Sequence, residues 1–189
     1  PSDTESHTEF IVAALPHLLT EPVAALMLFS SRRQMVDVME RLPDDFQNIV
    51  LCQDDYQKAQ LLKYHRQRID QGLNSLIFGL ASFAEGVDLP GRYCEHVLIA
   101  KIPFAVPDDP VESTLSTWIE QQGQDPFMTL AVPDAAFRLV QASGRLLRSE
   151  SDFGRITLFD ERLFTKRYGK QILASLPPYR QERIEIPRT

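Results

Sequence analysis

A glutamine, a glycine and two arginines stand at fixed spacing in Gln141-Ala142-Ser143-Gly144-Arg145-Leu146-Leu147-Arg148. On a helix, Arg145 and Arg148 lie on one face about a turn apart. Two neighbouring guanidiniums make a planar, permanently charged clamp suited to phosphate. Gly144 lets another backbone or a bulky ligand approach that face. The alternative is a surface helix with two solvated arginines, and these eight residues alone leave both readings open. Two further segments carry polar groups beside apolar runs. Gly79-Leu80-Ala81-Ser82-Phe83-Ala84-Glu85-Gly86-Val87-Asp88-Leu89-Pro90-Gly91 follows one such run, and its Gly86 and Gly91 permit tight turns. Leu26-Met27-Leu28-Phe29-Ser30-Ser31 leads into Arg32-Arg33-Gln34-Met35. There Ser30 and Ser31 offer hydroxyls and a helix N-terminus to a phosphate oxygen. As a plain helix cap, Ser31 needs no ligand.

The elements that must position these residues are legible as alternating apolar runs and amphipathic stretches, the pattern of an α/β domain with a parallel sheet. Strands are predicted near Ala24–Phe29, Asn48–Cys52, Ser75–Leu80, Glu95–Lys101 and Arg155–Phe159. Helices are predicted over Thr4–Leu15, Arg32–Leu42, Tyr56–Gln71, Pro110–Gln122, Asp134–Arg148 and Glu161–Leu176. In an open parallel sheet, ligands meet the loops at the carboxyl ends of the strands. All three polar segments sit in such a loop or open the helix that follows one. The stretch Pro103–Pro133, punctuated by five prolines and carrying Trp118, interrupts the alternation. It reads as an insertion, either a lid over one sheet edge or a binding module. Residues 181–189 read as an extended tail after a single domain spanning residues 1–180.

Composition narrows the class. At 189 residues, 43% hydrophobic and 24% charged, the chain has the make-up of a water-soluble globular domain. No apolar run approaches the ~20 residues of a membrane span, and the polar, acidic start does not resemble a signal peptide. Because the chain begins with Pro1, we expect it to be a piece of a longer polypeptide. Cys52 and Cys94 are the only cysteines, too few for a disulfide framework or a four-cysteine metal site. They read as buried thiols in a reducing, cytoplasmic setting. The net charge of −6 argues against a general nucleic-acid coat. Residues 138–189, however, hold eleven Lys or Arg against six Asp or Glu, and a local basic surface can still grip phosphates.

The three polar segments together resemble motifs IV, V and VI of superfamily-two helicases, in the DinG-like branch of the XPD family. The strings Glu85-Gly86-Val87-Asp88 with Pro90-Gly91, and Gln141 with Gly144-Arg145 and Arg148, occur in the family's order. The resemblance covers about residues 5–180. It implies a RecA-like three-layer domain with a mostly parallel central sheet and helices on both faces, the second motor domain of an ATP-dependent DNA helicase working 5′→3′. Arg145 and Arg148 would then be arginine fingers on the γ-phosphate of ATP, with Gln141 positioning the attacking water or that phosphate. Glu85, Gly86 and Asp88 would serve the nucleotide, the two carboxylates by orienting a motif VI arginine or bonding the ribose. Ser30, Ser31, Ser82 and Phe83 would hold single-stranded DNA. Many relatives carry a large aromatic where this chain has Ala84, so no stacking role is carried over there.

Equally informative is what the chain lacks. Gly169-Lys170 is the only Gly-Lys pair and has no glycine-rich loop before it, so there is no Walker A phosphate cradle. An acidic Mg²⁺ motif and a four-cysteine iron–sulfur set are absent as well. In the family these belong to the first, N-terminal motor domain, which would bind ATP and Mg²⁺; the full-length protein could also hold the cluster. Alone, this chain is expected to be inactive in ATP hydrolysis, and no metal site is expected within it. Asp160 and Arg162 resemble the family's Asp-x-Arg sequence and read equally as a structural ion pair. A competing reading is a protein-docking module. The ending around Phe164 to Tyr179 is similar to the YoaA branch, which is associated with the chi subunit of the clamp loader. The docking face would be Lys166, Arg167, Tyr168 and Lys170, or that helix simply packs its apolar side on the core. A stand-alone nucleotide- or RNA-binding domain is a remoter third reading.

Overall fold

Strand β1 (Ala24–Phe29) is buried along its whole length, as expected of a strand covered on both faces of a parallel sheet. A computed structural model describes residues 4–19, 22–105, 110–144 and 153–185, with 110–112 by backbone alone. With β2 (Val50–Cys52), β3 (Ser75–Leu80), β4 (His96–Ile99) and β5 (Arg155–Leu158), β1 builds a five-stranded sheet of order β2-β3-β1-β4-β5. Every pairing is parallel. Alternate residues point to opposite faces, which divides the core in two. Ala25, Met27 and Phe29 join Ile11 and Leu15 of helix α1 (Thr4–Leu18) and Met35 and Val38 of α2 (Arg32–Arg41). Leu26 and Leu28 face the other way. They meet Leu61 of α4 (Lys58–Asp70), Ala135 and Leu139 of α6 (Val132–Ser143) and Ile172 of α8 (Arg167–Ser175). The fold is the three-layer α/β sandwich expected.

All five strands fall where the apolar runs put them, β1 and β3 with the expected bounds and the other three trimmed at their ends. The helices differ more. A single turn, α3 (Asp44–Gln47), was not expected. Helix α1 runs past Pro16 to Leu18; the proline removes one hydrogen bond, but burial of Leu18 and Leu19 holds the final turn. After α5 (Pro110–Gln121), a π-helical turn over Phe127–Ala131 continues directly into α6, whose first turn accommodates Pro133. The helix anticipated over Glu161–Leu176 is two, α7 (Arg162–Thr165) and α8, broken at Lys166, where φ −108° and ψ 146° are extended. Gly169 explains the fold-back: an added Cβ there would lie 2.2 Å from the Arg162 carbonyl oxygen. Only a glycine lets α8 close onto α7 so tightly.

Candidate functional site

Register brings the three polar segments together. Phe29 pairs with Leu80 and Leu28 with Ile99, so the loops after β1, β3 and β4 leave the sheet at one level. Ser30, Glu85 and Gln141, one residue from each segment, line a common notch there. Lys101 and Arg138 complete its polar lining. The notch opens to solvent and has a volume of about 40 Å³, room for a few water molecules. Whatever binds there must present one small group to the notch and lie mostly outside it.

The first segment ends in a cap. Ser31, extended at φ −135°, accepts a hydrogen bond from the Gln34 amide at 3.3 Å, which is worth about 1 kcal/mol to α2. That bond uses the Ser31 hydroxyl, whereas Ser30 is exposed at the mouth of the notch. Beside them Arg32 holds Asp54 through two 2.8 Å bonds, tying the start of α2 to the loop after β2.

In the second segment, Ser82 and Phe83 lie on a 3₁₀ turn over Ala81–Ala84 that continues β3. Ser82 is exposed and Phe83 half-buried. The Phe83 ring lies over Gly79, where an added Cβ would come within 2.7 Å of Phe83 Cδ1. Gly86 and Gly91 adopt φ of 71° and 56°, the left-handed conformation that favours glycine. Helix α4 braces this segment. Lys58 donates to the Glu85 carbonyl and stands 5.1 Å from the centroid of the Phe83 ring. Arg66 Nη2 donates to the Asp88 carbonyl at 2.6 Å. Further along, His65 bonds Ser75 and the Tyr93 carbonyl at 2.8 and 2.7 Å. With the Glu85 and Asp88 carbonyls held, Glu85, Gly86 and Asp88 all remain at the surface.

Gln141 is exposed on α6, one turn after Arg138, which pairs with Asp134 at 2.7 Å. Arg145 and Arg148 lie outside the described residues. After β5, Asp160 is 3% exposed. It accepts from the Ile102 amide at 2.9 Å and from the Arg162 guanidinium at 2.8 and 2.6 Å. Burial pushes this carboxyl up, but the Arg162 and Ile102 hydrogen bonds and the Arg162 charge prevail and hold it below its usual range. Of the two readings of this pair, the geometry is that of a structural ion pair, joining the β4 loop to α7. On the C-terminal helices, Lys166, Arg167 and Lys170 are exposed. Tyr168 instead packs edge-on against Phe104 and Phe127, with centroids 5.8 and 5.2 Å away.

Four cations at or beside the site escaped sequence reasoning: Lys58, Arg66, Lys101 and Arg138. The predicted strand ran through Lys101, which hid it, whereas β4 ends at Ile99 and Lys101 belongs to the loop. Arg138 carried a signal in its spacing, three residues before Gln141. Lys58 and Arg66 had none, because they meet the Glu85 segment only through the packing of α4.

Among the described residues, no cluster of His, Cys, Asp and Glu could hold a metal ion, and no helix is long and apolar enough to cross a membrane. The two thiols do not suit an iron–sulfur cluster. Cys52 and Cys94 are buried in the cores on opposite faces of the sheet, and burial pushes the Cys94 thiol up to about 12.

Residues 16–179 match the family model described as helicase C-terminal domain. The chain is 41% identical over 94% of its length to the ATP-dependent DNA helicase DinG of Photobacterium profundum, and 39% identical over 86% to that of Escherichia coli K12. It spans only about a quarter of these curated relatives, 26% and 22% of their lengths. Among solved structures, an XPD helicase superposes with a TM-score of 0.60 at 21% identity, covering 91% of this chain and 30% of that one. A structure described as apo XPD gives 0.64 at 21%, covering 89% and 33%. These structural likenesses carry the fold, which is RecA-like. With a family model spanning most of its length, the chain belongs to the helicase C-terminal domain family.

Proposed function

We propose that this chain is the C-terminal motor half of an ATP-dependent DNA helicase of DNA repair or replication, acting in the cytoplasm. The observation that carries the reading is the meeting of Ser30, Glu85 and Gln141, from three separate segments, around one notch at the carboxyl end of the sheet. In this reading Ser30, Ser31, Ser82 and Phe83 grip single-stranded DNA. Glu85, Gly86 and Asp88 face the nucleotide. Gln141, Arg145 and Arg148 reach ATP held with Mg²⁺ on an N-terminal motor domain. The small volume of the notch supports a site completed by another lobe. ATP would close the two lobes and hydrolysis would open them, so that alternating grip walks along one strand 5′→3′. The docking reading has less support: Tyr168 is engaged in the fold's own aromatic cluster, which leaves Lys166, Arg167 and Lys170 of the anticipated face exposed.

The test is single-strand-stimulated ATP hydrolysis by the full-length helicase, wild type against Arg145→Ala and Arg148→Ala. An arginine finger is worth about 10³–10⁵ in rate. A loss of that order with ATP and DNA affinities nearly intact supports the reading, and unchanged turnover sinks it. Appreciable DNA-stimulated turnover by the 189-residue chain alone would separately overturn the need for a second lobe. Oligonucleotide displacement from 5′-tailed against 3′-tailed duplexes decides the direction.

A further inference from the structure

Lys101 is half-buried where the chain leaves β4 and lines the notch with Ser30, Arg138 and Gln141. Among the described residues, its ammonium makes no hydrogen bond or ion pair with a carboxylate. The Asp160 carboxylate, which attracts it, is already committed to Arg162 and to the Ile102 amide. A partly desolvated cation with no carboxylate partner among the described residues gains from meeting an anion. The notch is also lined by the exposed Ser30, by Gln141 and by Arg138, which pairs with Asp134, and these side chains carry donors of the kind that hold phosphoryl oxygens. Glu85 also lines the notch, and its negative charge favours an anion on the Lys101 side.

We infer that Lys101, with Ser30 and Gln141, forms a subsite for a single phosphate group at the carboxyl end of the sheet. This rests on the motor-domain reading and adds to it a residue that no motif supplied. A notch of about 40 Å³ admits a phosphate's oxygens while the rest of the ligand lies outside. The position fits a backbone phosphate of single-stranded DNA crossing the sheet ends, and equally a phosphate of a nucleotide held between lobes. Burial and the nearby Arg162 charge push the Lys101 ammonium down from its usual range, in keeping with a cation that gains on meeting an anion.

The experiment compares wild type, Lys101→Met and Lys101→Arg in the full-length helicase. Fluorescein-labelled oligo-dT and a non-hydrolysable ATP analogue are titrated separately across a salt series. Loss of one phosphate contact to a single strand lowers the slope of log K against log salt by about 0.7. For Lys101→Met we expect that reduced slope, a threefold to tenfold weaker affinity at low salt, and recovery in Lys101→Arg. A loss confined to the ATP analogue assigns the phosphate to nucleotide; a loss confined to oligo-dT assigns it to DNA. If wild type binds either ligand and Lys101→Met binds both as well, the subsite is wrong while the motor reading stands. If wild type binds neither, the motor reading fails and takes the subsite with it. Thermal unfolding separates binding from folding: Lys101→Met should melt at or above the wild-type midpoint. A lowered midpoint would mean that the ammonium serves the fold, overturning the proposal.

Discussion

The Lys58 ammonium stands 5.1 Å from the centroid of the Phe83 ring, and the same ammonium donates to the carbonyl of Glu85, two residues on. One side chain of α4 therefore holds both the ring and the backbone of the 79–91 segment, and Arg66 repeats the hold at Asp88. Lys58→Met should keep the fold and loosen this loop. We expect amide hydrogen exchange of residues 82–88 to rise about fivefold, the loss of roughly one net hydrogen bond, with the sheet amides unchanged. Exchange measured by mass spectrometry on wild type and variant checks it; equal protection of the loop would show that α4 does not brace it.

Gly79 lets the Phe83 ring lie against β3. An alanine Cβ would lie 2.7 Å from Cδ1 and 3.0 Å from Cγ, so the ring must turn out. Gly79→Ala should cost about 1–3 kcal/mol, as overpacking does. In the double variant Gly79→Ala/Phe83→Ala the losses should be clearly less than additive, because the second change removes the clash. Urea unfolding of the four species closes the cycle.

Gly169 presents a harder case. Its added Cβ meets backbone, 2.2 Å from the Arg162 carbonyl oxygen and 2.5 Å from that of Leu163, and backbone cannot rotate away as a side chain can. Gly169→Ala should therefore cost more than Gly79→Ala, about 3 kcal/mol or more, with α8 displaced from α7. Equal unfolding midpoints for the two variants would contradict this ranking.

Asp160 is buried and ionised, bonded to Arg162 and to the Ile102 amide. Asp160→Asn strips the charge and leaves Arg162 less well paired, at a cost of about 3 kcal/mol. Because its folded carboxyl lies below the ordinary value of 3.8, its contribution is complete above that pH. It fades as pH falls through the lower folded value. The acid limb of wild-type stability below pH 3.8 should thus be shallower in Asp160→Asn.

His96 titrates in the window above. Desolvation, and then the Arg155 charge, push it down from 6.5 to about 4, and its Nε2 lies 2.8 Å from Thr157 Oγ1. The unfolded chain binds that proton more readily, so stability should rise with pH between about 4 and 6.5 and level off above. Burial lowers His7 and His65 in the same direction. Denaturant unfolding across this range should show the slope, and His96→Asn should reduce it without removing it.

How much of this was legible beforehand follows from the range of the forces. The apolar runs of β1 and β3 and the amphipathic pattern of α2 are local, set by which side chains must leave water over six to ten residues. They marked all five strands and the Ser31 cap. The resemblance of three segments, in order, to known motifs carried the family. What depended on contacts between distant residues was not legible. The Glu161–Leu176 stretch has the apolar spacing of one helix, yet it breaks at Lys166 because Gly169 closes onto α7.

The sequence by itself therefore determined the five strands, most of the helices and their order, and it marked candidate phosphate-binding residues, because propensity and hydrophobic period act within a few residues. Only the tertiary structure decided which of those residues meet. The order β2-β3-β1-β4-β5 sets β1 between β3 and β4, so that Ser30, Glu85, Lys101 and Gln141 share one notch. It also lays α4 beneath the Phe83 loop. Those relationships cross 16 to 111 residues of chain, and burial of both sheet faces, which no local pattern encodes, is what selects them.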